Sequence, residues 1–192
     1  MGQAIGPVAQ ATLNVVSTPQ TVLSQKFNIT DNFFALNNSE DESAIIEEEA
    51  RMEKAEAIDR YFREYDMPLE GTGMKMVLEA EKNEIDWRLL PAIAVRESTG
   101  GKHACKRATY NSFGWGSCKI NFKSNEEAIE TVARNLGGNN PNTDHHYAGK
   151  NTKEILQKYN PPSIVKHYAD QVMRIMGVIG ETDIIITTGA TA

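Results

Sequence analysis

The apolar residues of this chain recur mostly at three- and four-residue spacing, and the first sustained run of that kind opens near Ser43. Between Ser43 and Tyr65, Ile46, Ala50, Ala57, Ile58, Tyr61 and Phe62 fall near one face among charged residues, which predicts an amphipathic helix. Pro68, Gly71 and Gly73 then break the pattern. A second helix is expected from Gly73 to Lys82, with Met74, Val77 and Leu78 facing inward. Asp86 reads as the N-cap of a third segment, Trp87 to Ser98, which is apolar on nearly every face from Leu89 to Val95 and therefore belongs at the centre of a domain. Pro91 suits a first helical turn, where its missing N–H costs nothing, so the helix proper is expected to begin near it and to stop at Gly100 and Gly101.

The stretch from Lys102 to Phe122 has no helical period and is dense in Gly, Ser, Asn and aromatic residues, which predicts an ordered loop or a short hairpin. Ser124 with Glu127 forms a capping-box pattern ahead of Ile129, Val132, Ala133 and Leu136, and Gly137 and Gly138 end that helix. A polar loop to Tyr147, a short helix from Thr152 to Tyr159 and a last helix from Ser163 to Val178 follow, the last with Val165, Tyr168, Val172, Ile175 and Met176 inward. Asp183 to Thr188 is a β-prone run expected to be part of a tail over 181–192. Nothing alternates in the βαβ manner. The fold class is all-α, with five to seven helices in one domain over residues 43–180.

Residues 1–42 are rich in Gln, Asn, Ser and Thr without a sustained period, and are expected to be a flexible extension with Phe27, Phe33 and Phe34 as docking points. Met1 to Gln25 lacks the basic start and compact apolar centre of a secretory leader, so an exported form would have lost its leader or would carry it elsewhere. No apolar run in the 192 residues approaches the roughly 18 to 20 needed to span a bilayer.

Charge is unevenly spread. Residues 1–50 hold seven acids and one base, whereas residues 91–180 hold twelve Lys and Arg against seven acids. The basic later half favours an anionic partner, either nucleic acid or bacterial cell wall. A small helical nucleic-acid binder is disfavoured by the overall isoelectric point near 5.3 and by the lack of a helix with clustered Lys and Arg. Cys105 and Cys118, a short loop apart, admit a disulfide, two reduced thiols, or a zinc site shared with His103, His145 and His146, though the spacing matches no common finger. His145 and His146, adjacent on a loop, read as solvent-facing or hydrogen-bonded residues and not as a metal pair. No cofactor motif occurs.

One carboxylate stands apart. Glu97 sits at the end of the most apolar helix, directly before Ser98, Thr99, Gly100 and Gly101. Partial burial and the helix C-terminus both disfavour a charged carboxylate there, which is what a general acid near neutral pH requires. The bland alternative is a surface Glu paired with Arg96 or Lys102. The neighbouring Tyr110, Asn111, Ser112, Phe113, Gly114, Trp115 and Gly116 offer aromatic faces and short amides of the kind a sugar chain needs, or else a plug for the core.

The run from Leu89 through Pro91 to Arg96, Glu97 and Ser98, followed by Tyr110-Asn111-Ser112-Phe113-Gly114-Trp115-Gly116, resembles the lysozyme-like superfamily, and within it the glucosaminidase domains of bacterial autolysins and the lytic transglycosylases. The likeness covers about residues 55–180. It implies a lysozyme-like helical domain in which Glu97 is the catalytic acid. It also implies substrate contacts from Ser98, Tyr110, Asn111, Phe113, Gly114, Trp115 and Tyr168, and a tyrosine segment, Tyr159-Asn160-Pro161-Pro162, bordering the site. The implied partner is peptidoglycan or a related amino-sugar polymer, met outside the cytosol by a monomer that needs no cofactor.

Two departures stand out. Gly100 and Gly101 replace a bulkier residue and are expected to loosen the groove. A second carboxylate is not evident: Glu126 and Glu130 read as a solvated helix face, which leaves Asp144 as the better candidate. A mechanism with one glutamate, as in the lytic transglycosylases or in a substrate-assisted hydrolase, needs no second acid, and the resemblance then implies a catalytic role for the substrate's N-acetyl oxygen or for a tyrosine, Tyr159 or Tyr168, in stabilising the oxocarbenium-like charge. A catalytically silent wall-binding module of the same fold is the competing expectation.

Overall fold

The structure, a computed structural model, describes residues 39–188, with side chains from 42 to 181. Seven right-handed helices follow one another among the described residues: α1 Ser39–Glu64, α2 Gly73–Lys82, α3 Leu89–Ser98, α4 Asn125–Leu136, α5 Asp144–Tyr147, α6 Thr152–Tyr159 and α7 Tyr168–Thr188, with a four-residue turn at Trp115–Cys118, left-handed at Gly116 and Ser117, between α3 and α4. No strand occurs among these residues, so the expected all-α class holds and the stretch from Lys102 to Phe122 is a loop, not a hairpin. None of the helices is long and apolar enough to cross a membrane. The chain divides into two units between Ser43 and Ala44, and the elements that build the site lie in the second.

α3 is the centre of the fold because its sequence leaves it no polar face. Leu89, Leu90, Ala92, Ile93 and Ala94 are fully buried, packed against α2, α4 and α7. The helix starts two residues before Pro91, which therefore lies within the first turn, where no intrahelical N–H bond is lost. Asp86 does not cap α3. Its carboxylate instead accepts from the Arg88 backbone N–H at 2.9 Å and from the Arg88 guanidinium, and this pairing holds the carboxyl below its usual range against the desolvation that raises it.

The stripe on α4 is buried as its spacing predicts, and Ser124 caps the helix by accepting from Glu127 N at 3.3 Å. The other faces differ in detail. On α2 the buried set is Gly73, Met76, Val77, Glu79 and Ala80, and Leu78 is 45% exposed. At its start α2 lies close to α1, where a side chain on Gly73 would meet the carbonyl oxygen of Ala55 at 2.3 Å. On α1 the buried residues are Ala55, Ala57, Ile58, Tyr61 and Phe62, as expected for the last four, whereas Ile46 is exposed, within a run, 42–49, that is exposed throughout.

α1 begins at Ser39, four residues earlier than expected, while Phe27, Phe33, Phe34 and the rest of residues 1–38 lie outside the described residues. α7 begins at Tyr168, five residues late, because 161–167 is taken up by turns in which the Pro161 carbonyl accepts from Ile164 N and Val165 N at 2.8 and 3.0 Å. It then continues to Thr188, through the run expected to be a tail. No proline interrupts it, and β-branched residues each cost a helix only about 0.5 kcal/mol.

Candidate active site

The C-terminus of α3 is built to stop sharply. Thr99 and Gly100 turn left-handed, and Gly100 N returns to Ala94 O at 3.1 Å. Ser98 is buried, accepts from Gly101 N at 2.9 Å and donates to Ser112 O at 2.7 Å, so its hydroxyl joins the helix end to the aromatic loop. Its hydroxyl is thereby engaged within the fold and leaves almost no surface open to the groove. Gly100 and Gly101 do not loosen anything: a Cβ on Gly100 would press on Met67 at 2.5 Å, and one on Gly101 would approach Ser112 Oγ at 3.3 Å.

Glu97, one residue before that suture, is half-buried and opens into a groove of about 510 Å³. Its Oε1 accepts from the Tyr168 hydroxyl at 2.6 Å. Its Oε2 faces Gly114, where a Cβ would lie only 2.9 Å away. Tyr168 is itself buried, stacked on Tyr159 with ring centroids 5.9 Å apart and planes 10° from parallel. The Arg96 guanidinium sits 5.7 Å from the Tyr168 ring and is fixed by donation to Gln171 Oε1 at 2.8 Å. The alternative, a Glu97 paired with Arg96 or Lys102, is not found among the ion pairs of the described residues, and Arg96 donates to Gln171 instead.

Burial raises the Tyr168 phenol well above its usual range, reinforced by the neighbouring Tyr159 and by the charge and hydrogen bond of Glu97. Tyr159 is raised in the same way, by burial first and then by Glu97 and Tyr147. Its hydroxyl donates to the Phe113 carbonyl. Both phenols therefore stay protonated and act as fixed donors. Tyr159 offers the groove its ring, not an ionisable oxygen, and Trp115 lies against that ring at 5.6 Å.

The opposite wall is residues 114–117, held in an unusual backbone. Gly114, Gly116, Ser117 and Cys118 all have positive φ, between 56° and 64°, which for Ser117 and Cys118 costs about 1 to 2 kcal/mol each. Two devices hold it. Asn111, fully buried, accepts from Trp115 N at 2.8 Å and donates to the carbonyls of Trp115 and Ile120 at 2.9 Å each. The Cys105–Cys118 disulfide closes the loop from the other side, which removes both thiols from the zinc reading.

The residues singled out in the sequence thus separate into three groups. Glu97, Gly114, Trp115 and Tyr159 line the groove, joined by Gly116, Ser117, Tyr147, Asn160, Pro161 and Ile164. Ser98, Asn111, Phe113 and Tyr168, expected as substrate contacts, are not in the groove lining; they lie buried, hydrogen-bonded or packed against residues that line it. Tyr110 is 51% exposed and outside the groove lining.

Asp144 starts α5, exposed, with Oδ1 accepting from His145 N at 2.6 Å, and it does not line the groove. Glu126 and Glu130 stand exposed on α4; Glu130 borders a separate polar depression of about 330 Å³ with Lys82, Asn83 and Arg134. Glu97 is the one acid in the groove lining among the described residues. Two lining residues had weak sequence signals: Tyr147 as the aromatic ending a polar loop, and Ile164 as an apolar residue just past Pro161 and Pro162. No group of three or more His, Cys, Asp or Glu suited to a metal ion occurs among the described residues.

Chemically, the groove lining presents one carboxyl group, with Oε1 taken by a neutral phenol and Oε2 beside Gly114, between the rings of Trp115 and Tyr159 and the residues that share the lining. Such a group can give a proton to a bound oxygen and take one back. No protein-family model, curated protein or solved structure matches the chain.

Proposed function

We propose that this protein cleaves the β-1,4 bonds of a peptidoglycan glycan strand on a domain of the lysozyme-like type, with Glu97 as sole general acid and base. The observation that carries the reading is the position of Glu97 in an open groove walled by Trp115 and Tyr159, with Oε1 engaged by Tyr168 and Oε2 free. Aromatic faces suit the apolar faces of sugar rings, and an open channel suits a polymer better than a closed pocket does.

In the proposed reaction the protonated Glu97 gives its hydrogen to the glycosidic oxygen as the bond to the anomeric carbon breaks. The resulting carboxylate then takes a proton from the incoming nucleophile, which is either water or the strand's own 6-hydroxyl. Tyr168, donating to Oε1, holds the carboxyl plane so that Oε2 carries the proton in transit. A second carboxylate about 5 to 5.5 Å or 6.5 to 9.5 Å away, as retaining and inverting glycosidases use, is not supplied by the groove lining. This favours ring closure by the 6-hydroxyl or assistance from the substrate's N-acetyl oxygen. The disulfide fits an oxidising compartment, so we place the protein outside the cytosol, acting as a monomer.

The test is incubation of the purified protein with isolated sacculi, followed by mass spectrometry of the soluble fragments. Fragments with 1,6-anhydro ends indicate ring closure, and reducing ends indicate hydrolysis. Saturable binding with no fragment released would refute the enzyme and support the second reading, a wall-binding module, which the single acid in the groove also favours.

A further inference from the structure

Three tyrosines line or back the groove, and the fold employs the hydroxyls of two. Tyr168 donates to Glu97 Oε1 at 2.6 Å, and Tyr159 donates to the Phe113 carbonyl. Tyr147 lines the groove and is only 8% exposed, yet its hydroxyl has no hydrogen-bond partner among the described residues. A covered polar group left unpaired costs a fold free energy, so each such group asks for a reason. No buried side-chain nitrogen or oxygen of the described residues is sealed off without a partner, so the Tyr147 oxygen itself keeps an opening to the surface. With the rest of the residue covered, the groove that it lines is the place for that opening.

The backbone around Tyr147 is fixed without any help from a ligand. The residue ends α5, which packs on both α4 and α6. Ala148 follows and is seated against Gly138, where a Cβ would lie 2.6 Å from the Ala148 Cα. The Ala148 N–H returns to the Asp144 carbonyl at 2.8 Å, and the Tyr147 carbonyl accepts from Lys150 N at 3.2 Å. Burial also raises the phenol above its usual range, so the hydroxyl keeps its hydrogen and has it to give.

We propose that Tyr147 is a specificity-determining contact of the groove, its hydroxyl donating to a neutral oxygen of the bound strand. The proposal rests on the groove being the glycan site, and it adds a residue that the proton transfers do not use. An amino-sugar strand carries two neutral acceptors of this kind, the carbonyl of the acetamido group and the ring hydroxyls. Ile164, 74% exposed in the same lining, offers apolar surface that an acetamido methyl covers, which favours the carbonyl.

The wild-type chain, Tyr147→Phe and Tyr110→Phe are titrated with chitooligosaccharide and with a cello-oligosaccharide of equal length, which bears a hydroxyl in place of each acetamido group. Binding is read from tryptophan fluorescence, since Trp115 lines the groove, and Tyr110, exposed and outside the lining, is the control. Tyr147→Phe should weaken chitooligosaccharide about 3- to 10-fold, as loss of one hydrogen bond between neutral groups does, and Tyr110→Phe should leave it unchanged. Thermal unfolding separates this from a structural role. The hydroxyl has no partner in the fold, so Tyr147→Phe should keep or raise Tm. A loss confined to chitooligosaccharide assigns the acetamido carbonyl, and an equal loss with both sugars at unchanged Tm assigns a ring hydroxyl. Unchanged affinity in Tyr147→Phe, or a loss of affinity that comes with a lowered Tm, overturns the contact and leaves the groove reading standing. Failure of the wild type to bind either sugar brings down the groove reading and the contact with it.

Discussion

Gly114→Ala offers a sharp perturbation of the site, because one methyl group acts on a single atom of the proposed acid. The added Cβ would lie 2.9 Å from Glu97 Oε2 and 3.6 Å from its Cδ, so the carboxyl group must move by several tenths of an ångström. Moving it disturbs the bond from Tyr168 to Oε1, and a hydrogen bond between neutral groups is worth about 0.5 to 1.5 kcal/mol. Independently, Gly114 has φ of 64°, a conformation that costs an L-residue about 1 to 2 kcal/mol. The combined effect on stability, about 2 kcal/mol, should lower Tm by about 5 °C in a domain of this size. The effect on rate should be larger, about 100-fold, since displacement of a reacting group by a fraction of an ångström to 1 Å is enough for that. Gly71→Ala separates the two effects. Gly71 has φ of 88° and nothing lies within 4 Å of the place its Cβ would take, so this variant should lose comparable stability and no activity. The assay is release of soluble fragments from sacculi beside thermal unfolding of both variants. Equal activity in Gly114→Ala and wild type would refute the claim that Oε2 is the working oxygen.

Tyr168→Phe removes the donor to Glu97 and should lower kcat about 10- to 100-fold with KM little changed, read from initial rates on soluble glycan strands. Burial raises the phenols of Tyr159 and Tyr168, so above about pH 10, where unfolded tyrosine ionises, the folded chain binds more protons than the unfolded one and stability falls as pH rises; chemical unfolding across pH 8 to 11 should show this loss, reduced in Tyr168→Phe. Asn111→Ala leaves two carbonyls and one N–H of the loop without their partner and should cost about 3 kcal/mol, with faster amide exchange at Trp115. Reducing Cys105–Cys118 reopens a loop of 13 positions and should cost about 3 kcal/mol in the chain-entropy account, measured by unfolding with and without reductant.

What was legible in the sequence was local and strongly patterned. The apolar run from Leu89 to Val95 announced a central helix, and its abrupt end in Glu97-Ser98-Thr99-Gly100-Gly101 marked the carboxylate that the groove exposes. The α4 stripe was equally plain because a capping residue and two glycines bounded it. What was hidden depended on partners distant in the chain. Asn111 and Phe113 looked like groove residues, since amides and aromatics near a candidate acid suit sugars, yet a fully buried amide that satisfies three backbone groups has the same sequence appearance. On α2 the core takes Met76 and Ala80 and leaves Leu78 exposed, a choice of face that the apolar spacing alone did not decide. Tyr147 and Ile164 reach the groove through turns around Asn140 and Pro161, which sequence spacing does not fix.

The central claim is that one side chain performs both proton transfers. Its most direct measurement is product analysis by mass spectrometry on defined β-1,4 amino-sugar strands, comparing the wild-type chain with Glu97→Gln at equal occupancy of the strand. Cleavage by the wild type with none by the variant, while both bind alike, is the predicted result. Cleavage that persists in Glu97→Gln would contradict it.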